Sequence, residues 1–227
     1  MFKRVIVIVV GVLLGGGIAY IFVGSPLFLV KEIEIQDGQL VDKRDLSQWG
    51  LEEDRNIFLI GLKGVREKIE AIPEIKRAVI KKKLPYKIVV YIDTYKPSAF
   101  LGKDKLLAVS KEGVVFPFDG RATDTSSYPV IMYEYRDLPI GESLPPLKRG
   151  IEAYLAVKNI PLDVDVIAVK NSDNIVLYMM DTGTEIRMGK DGFAKKAEYL
   201  KILLRELKSK SVKYIDLRFG RDIVVKP

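Results

Sequence analysis

The chain opens with an unbroken apolar stretch and then settles into short periodic segments separated by turn residues. From Val5 to Val23, nineteen consecutive residues carry no charge, and thirteen of them are Val, Ile, Leu or Phe. At roughly 1.5 Å per residue the run is about 28 Å long, close to the hydrocarbon thickness of a bilayer. Thirteen such side chains favour insertion by about 6 kcal/mol before the glycines subtract a little. The pattern predicts one transmembrane helix over residues 5–23. A cleaved export signal is the competing reading, but its apolar region is usually about 7 to 15 residues long and ends in a small-x-small site. Here the run continues through Tyr20-Ile-Phe-Val23 into Gly24-Ser-Pro26. Lys3 and Arg4 precede the run, so the positive-inside rule leaves residues 1–4 as a short cytoplasmic tip and places everything after the helix outside the cytoplasm.

Beyond Pro26 the period changes. Ile33 and Ile35 alternate with Glu32 and Glu34, as a half-buried strand over Leu29 to Ile35 requires, and Asp37-Gly38 supplies a turn. Asp42 with Asp45 three residues on reads as a helix N-cap, Leu46 and Trp49 give that helix an apolar stripe, and Gly50 ends it. A second helix, Lys63 to Ile72, places Val65, Ile69 and Ile72 on one face before Pro73 stops it. Two strands follow, Ile75 to Leu84 and Tyr86 to Tyr95, joined tightly through Leu84-Pro85-Tyr86; in the second, Ile88, Val90 and Ile92 face in against Val89, Tyr91 and Asp93. The order strand, helix, helix, strand, strand over residues 27–95 makes an α+β module with two helices on one face of a three-stranded sheet.

Lys96-Pro97 marks a boundary, and residues 96–227 read as a mostly antiparallel β domain with two helices. Short strands are expected at Ser98 to Leu101, Leu106 to Val109, Val114 to Phe116 and Tyr128 to Tyr133, with turns at Gly102-Lys-Asp104 and Lys111-Glu-Gly113 and a polar loop from Gly120 to Ser127. A helix over Leu147 to Asn159 precedes strands at Val164 to Val169, Ile175 to Met180 and Glu185 to Met188. The strongest amphipathic pattern then buries Phe193, Ala197, Leu200, Leu204 and Leu207, with Lys195, Lys196, Lys201 and Arg205 facing out. Val212 to Phe219 and Asp222 to Val225 are the last two strands, turned by Phe219-Gly-Arg-Asp222.

Composition narrows the chemistry. Of 37 basic residues two precede the apolar run, leaving 35 against 30 acidic groups, a formal +5 spread along the chain. A phosphate binder concentrates such charge on one face, so a nucleic-acid role is not indicated. Lys81-Lys82-Lys83 is a true basic run; it reads as a solvated strand end, or as attraction to anionic head groups. There is no cysteine and no histidine, which excludes disulfides, thiolate chemistry, zinc sites of the usual kind and Ser-His-Asp or Cys-His catalysis. No metal or cofactor site is expected. The excess of Lys, Glu and Arg over Asn and Gln is thermophile-like. Gly11 and Gly15 have the small-residue spacing that lets transmembrane helices approach closely, a spacing that a glycine-rich helix also produces by chance.

Read together, these segments resemble the bacterial cell-division family FtsQ/DivIB along the whole chain. The resemblance rests on Val30, Ile33 and Ile35, on Asn56-Ile-Phe58, and on Ile69-Glu-Ala-Ile-Pro73 to Ala78 with Leu84-Pro85. It continues through Tyr95-Lys-Pro97 with Ala99, Gly113-Val-Val-Phe116, Pro129, Met188-Gly189 and Tyr214-Ile-Asp-Leu-Arg218. Thr94 stands where the family usually has an acid, and Gly38 comes one residue late. What the resemblance implies is a cytoplasmic tail, one inner-membrane span, a POTRA domain and a β domain at the division septum. It implies a scaffold for other single-span division proteins that helps coordinate septal wall synthesis. The partner implied at the end of the β domain is FtsB, and through it FtsL, with further partners implied at the POTRA domain, whose sheet offers an edge at the strand Val79 to Lys83 or its neighbour.

The residues themselves single out the last strand. A terminal strand is expected at a sheet edge, where unpaired N–H and C=O groups accept a partner's strand. Tyr214, Phe219, Ile223 and Val225 are the candidate side chains there, although the same pattern fits ordinary sheet core. Lys190 and Lys195, at the start of the long helix, are candidates for pairing with acidic partner residues. Three other classes compete, a sensor or assembly factor that binds a small ligand among them. An exported cell-wall enzyme would need paired carboxylates or an activated nucleophile, and Asp163, Asp165, Asp181, Glu185 and Asp191 form no recognisable motif. A POTRA-containing outer-membrane assembly factor would carry several such modules and a barrel-length run of strands.

Overall fold

In the computed structural model the chain divides into two compact units, Met1–Thr94 and Tyr95–Pro227. The residues described are 2–227 except 37–39, 103–105, 119–124, 135–137, 180, 208–211 and 221, and except 227 at the end; within the first helix several side chains are also outside the description. The turns expected at Asp37-Gly38 and Lys103-Asp104, and most of the Gly120 to Ser127 loop, fall outside these residues.

The first unit begins with α1 (Phe2–Gly24), a helix of 23 residues and about 34 Å. Among the described residues no helix is long and apolar enough to cross a membrane. A short 3-10 turn, Pro26–Phe28, is capped by the Ser25 hydroxyl, which accepts from the Leu27 N–H. The remaining elements are β1 (Glu32–Gln36), α2 (Lys43–Gln48), α3 (Leu62–Glu70), β2 (Ile75–Lys83) and β3 (Lys87–Thr94). Asp42 starts α2 with a full capping box: its carboxylate accepts from the N–H groups of Arg44 and Asp45 at 2.7 and 2.9 Å, and the Asp45 carboxylate accepts from Asp42 N at 3.0 Å. α3 buries Val65 and Ile69 against the sheet.

The sheet order is β1-β3-β2, with β1 parallel and β2 antiparallel to β3. Placing β3 at the centre changes one expectation. Val89, read as solvent-facing with Tyr91 and Asp93, is fully buried. In the ladder it is flanked by Glu34 on β1 and Lys81 on β2, and the Lys81 ammonium reaches over the Tyr91 ring at 5.3 Å, so neighbours on both sides exclude water from it.

The second unit is one sheet of nine described strands backed by two helices. The strands are β4 (Pro97–Leu101), β5 (Leu107–Ser110), β6 (Val115–Pro117), β7 (Val130–Met132), β8 (Val166–Asn171), β9 (Asn174–Met179), β10 (Thr184–Gly189), β11 (Tyr214–Asp216) and β12 (Val224–Lys226). The helices are α4 (Pro145–Val157), between β7 and β8, and α5 (Phe193–Leu207), between β10 and β11. The order across the sheet is β12-β11-β10-β9-β8-β7-β4-β5-β6. Most neighbours are antiparallel; β4/β7, β7/β8 and β10/β11 are parallel, and the last two are the crossovers that carry α4 and α5. Both helices bury their stripes on one face, where Leu147, Ile151 and Leu200 meet Ile167, Leu177 and Ile186. On the opposite face of β4–β6, Phe100 packs against Phe118 and Tyr128 with ring centroids 4.9 and 5.6 Å apart.

The two edges of this sheet differ. At β6 the segment Gly141–Leu144 runs alongside: Gly141 N donates to Val115 O at 2.8 Å, Leu144 N to Gly113 O at 3.0 Å, and Val114 bridges Ser143. That closure requires Gly113. Its φ is +80°, and a Cβ there would lie 2.7 Å from Lys148 N at the start of α4. Gly113→Ala is therefore expected to cost about 2 kcal/mol or more. Hydrogen exchange should show loss of protection in β5, β6 and α4 with the first unit unchanged; unaltered protection would refute it.

Candidate partner-binding edge

At the other end of the sheet β12 pairs with β11 alone, through Tyr214↔Lys226, Ile215↔Val225 and Asp216↔Val224. Among the described residues nothing runs along its outer side, so its outward N–H and C=O groups have no ladder partner there. Alternation sorts the side chains. Ile215, Val225 and Ile186 face the core, while Tyr214 and Asp216 on β11, Glu185 and Arg187 on β10, and Val224 and Lys226 on β12 share the other face.

Tyr214 is half-buried under the Arg187 guanidinium, 4.2 Å from its ring centroid. Val225 and Ile223 are half-buried against the domain core; Ile223 lies before β12 rather than in it. β11 is much shorter than the Val212 to Phe219 strand expected, and Phe219 instead sits in a turn, 60 % exposed, with the Arg218 guanidinium 5.5 Å from its ring. Lys190 is exposed in the bend after β10, and Lys195 is exposed in the first turn of α5, 5.9 Å from the Tyr199 ring. Because β10 and β11 are parallel and β12 runs back, Lys190, Phe219 and Ile223 gather at one end of the edge, while Tyr214 and Val225 lie along it.

Lys196, expected to face solvent, is buried, with Nζ donating to Met188 O at 2.7 Å. The ammonium meets this carbonyl at the irregular end of β10, where the register with β9 shifts between Arg187 and Gly189. Burial lowers its pKa, against the opposing pull of Asp191 and Asp216. Gly189, at φ +69°, permits this crowding, since a Cβ would meet Arg218 Cγ at 3.1 Å.

A further electrostatic feature lies inside the Tyr214-Ile-Asp-Leu-Arg218 stretch, where the sequence assigned no role to Asp216 or Arg218. Asp216 is buried on β11 and holds Arg218 through Nε at 2.9 and 3.1 Å and Nη2 at 2.6 Å, with the Arg218 N–H on Oδ1 at 3.1 Å. Arg187 approaches at 3.8 Å and binds Glu185 at 3.1 Å. Burial alone would raise the Asp216 pKa; the Arg218 hydrogen bonds and the Arg187 charge outweigh it and hold the carboxyl below the usual range. The available signal was Asp216 and Arg218 two apart, hence on one side, in an otherwise apolar stretch.

The chain is thus a compact α+β module followed by a sheet that is covered at one edge and, among the described residues, uncovered at the other, where the Arg187 and Arg218 guanidinium groups lie over the Tyr214 and Phe219 rings. Residues 99–218 match the family described as cell division protein FtsQ/DivIB, C-terminal, and residues 28–94 match the FtsQ-type POTRA domain. The chain belongs to the FtsQ/DivIB family. It is 26% identical over 220 residues to the cell division protein FtsQ of Syntrophotalea carbinolica, covering 89% of this chain and 75% of that one. It is 24% identical over 211 residues to the cell division protein DivIB of Clostridium tetani, covering 88% and 80%. The C-terminal match ends at Arg218, so Phe219, Ile223 and Val225 lie beyond it.

With its folded pKa below its unfolded one, Asp216 stabilises the fold fully above the ordinary carboxylate range, and that contribution is lost as pH falls through and below it. Asp216→Asn should be less stable than the parent at neutral pH by about 1–3 kcal/mol. In urea titrations the gap should narrow on acidification toward pH ~3; a gap independent of pH would contradict this assignment.

Proposed function

We infer that this chain is a membrane-anchored scaffold of the bacterial division machinery, acting by binding other division proteins rather than by catalysis. The family match and the named relatives support that reading over an exported wall enzyme or an outer-membrane assembly factor. α1 is its anchor: the uncharged run Val5–Val23, taken whole, suits one crossing, with Lys3 and Arg4 on the cytoplasmic side and both folded units outside. Confinement to the membrane lets partners with their own spans meet it at raised effective concentration.

The single observation that carries the binding mode is the open edge at β12, opposite an edge closed by Gly141–Leu144. A partner segment adding a strand there would use backbone hydrogen bonds for affinity. Phe219 and Tyr214 would supply contact area, Ile223 and Val225 would hold the edge strand on the core, and Lys190 and Lys195 would pair with partner acids. FtsB, carrying FtsL with it, is the partner proposed. In the POTRA unit β1 and β2 are the edges and β3 is central. On β2, Ala78 N is already taken by the Glu70 carboxylate at 3.0 Å, which leaves Val79 to Lys83 as the stretch proposed for a second partner.

Proline cannot donate into a ladder. Ile223→Pro or Val225→Pro should weaken partner capture about tenfold or more, the equivalent of one or two lost backbone hydrogen bonds. Phe219→Ser should weaken it comparably without loss of stability, because that ring is exposed. The check is affinity measured with the purified full chain, and photo-crosslinking in cells from Val224 and Phe219. Undiminished capture, with no crosslink from either position, would remove this edge as the site.

A further inference from the structure

The end of the POTRA module next to α1 has an unusual surface. Asn56, almost fully buried, donates through Nδ2 to Phe22 O at 2.9 Å and Val23 O at 2.8 Å, and its Oδ1 accepts from Phe58 N at 2.9 Å. Phe22 O and Val23 O are among the carbonyls that a helix leaves unpaired at its C-terminus, so the side chain caps α1 from within the module. The rings of Phe22, Phe28 and Phe58 close around the junction, with centroids 5.0, 5.1 and 5.9 Å apart. Phe22 lies two residues before the end of α1, about 3 Å along its axis. The Asn56–Leu59 loop is thereby fixed at the level of the last turn of the apolar helix.

Topology brings a second loop to the same end. Leu29 bridges Asn56, β1 starts three residues later, and β3 starts beside it in parallel register, Glu32↔Lys87. The hairpin tip Leu84-Pro85-Tyr86 therefore lies at this end, and Lys31 N donates to Tyr86 O at 2.9 Å. Leu27, Phe58, Leu59, Leu84 and Tyr86 are between 41% and 61% exposed. Among the described residues of this module beyond α1, Leu40 is the other large apolar side chain left so open. Large apolar side chains brought to one end of a module that buries most of the rest of its apolar set mark an interaction surface.

We propose that this end of the POTRA module is a membrane-contacting face, in which Leu27, Phe58, Leu59, Leu84 and Tyr86 enter the boundary between lipid head groups and acyl chains. The occupant is lipid because the face continues from the last turn of the apolar helix through the Asn56 cap and the aromatic cluster. It rests on the reading of α1 as a membrane span. Two cations border this end: the Lys31 ammonium lies 6.0 Å from the Tyr86 ring, and Lys82 Nζ donates to Ile60 O at 2.9 Å, so an anionic head group would meet positive charge here. Glu32 and Glu34 are held by Lys87 at 2.7 and 2.6 Å, which reduces their repulsion from an anionic surface. Tyr86 has the amphipathic ring that favours the interface. The consequence is a module held to the bilayer at three points, the helix and two loops.

The chain has no cysteine, so single labels are clean. The test uses the full chain in phosphatidylcholine/phosphatidylglycerol vesicles, with an environment-sensitive fluorophore at Leu59→Cys, Leu84→Cys, Leu40→Cys or Gly11→Cys, and nitroxide lipids quenching at shallow or deep positions. Expected is loss of emission to the shallow quencher at 59 and 84 but not at 40, together with deep quenching at 11. Deep quenching at 11 without quenching at 59 and 84 overturns the contact face and leaves the span standing. Quenching at 40 equal to that at 59 and 84 also overturns it, because the whole module would then be lying on the surface. Absence of quenching at 11 removes the span and this proposal with it.

Discussion

An open sheet has two edges, and backbone groups along an edge must find water, a covering segment or another strand. The second unit meets that constraint in opposite ways at its two ends. At β6 the chain covers its own edge: Gly113 turns tightly enough for Gly141–Leu144 to lie alongside, and Lys148 closes over the turn. At β12 it does not, and the surrounding residues are arranged as though that edge must remain ordered while unpaired. Ile223 and Val225 seat the strand on the core from below, and the Asp216–Arg218–Arg187 network stiffens β10 and β11 from above. An ordered edge loses less conformational freedom when a strand adds to it.

The first unit has a related problem at a helix end. α1 leaves carbonyls unpaired at its last turn, and in an apolar setting such groups are expensive. Asn56 answers from a loop more than thirty residues away in sequence, and the aromatic cluster packs across the junction.

Much of the architecture could be read from periodicity. The capping box at Asp42 and Asp45, the one-sided α3 through Val65 and Ile69, and the strong stripe of α5 are local patterns, and the structure carries them within a few residues of their expected bounds. The readings that changed depend on neighbours remote in sequence. Val89 looked solvent-facing because alternation says nothing about whether a strand is central. Lys196 looked like an outward lysine because its acceptor, Met188 O, belongs to another element. Phe219 looked like a strand residue because Val212 to Phe219 is apolar enough, while only three residues of that stretch find a register with β10 and β12.

The candidate site divides along the same line. The sequence alone determined the apolar helix, the two-module organisation, the absence of cysteine and histidine chemistry, and the family to which the chain belongs, since all of these reside in composition, local period and short motifs. Which edge stays uncovered among the described residues, that Phe219 stands exposed while Ile223 and Val225 turn inward, that Asp216 is buried against two guanidinium groups, and that Asn56 caps a distant helix emerge only when the chain is folded. These are outcomes of strand order and long-range register. They follow from how hydrogen-bond ladders close in space, a free energy summed over pairs that no local pattern records.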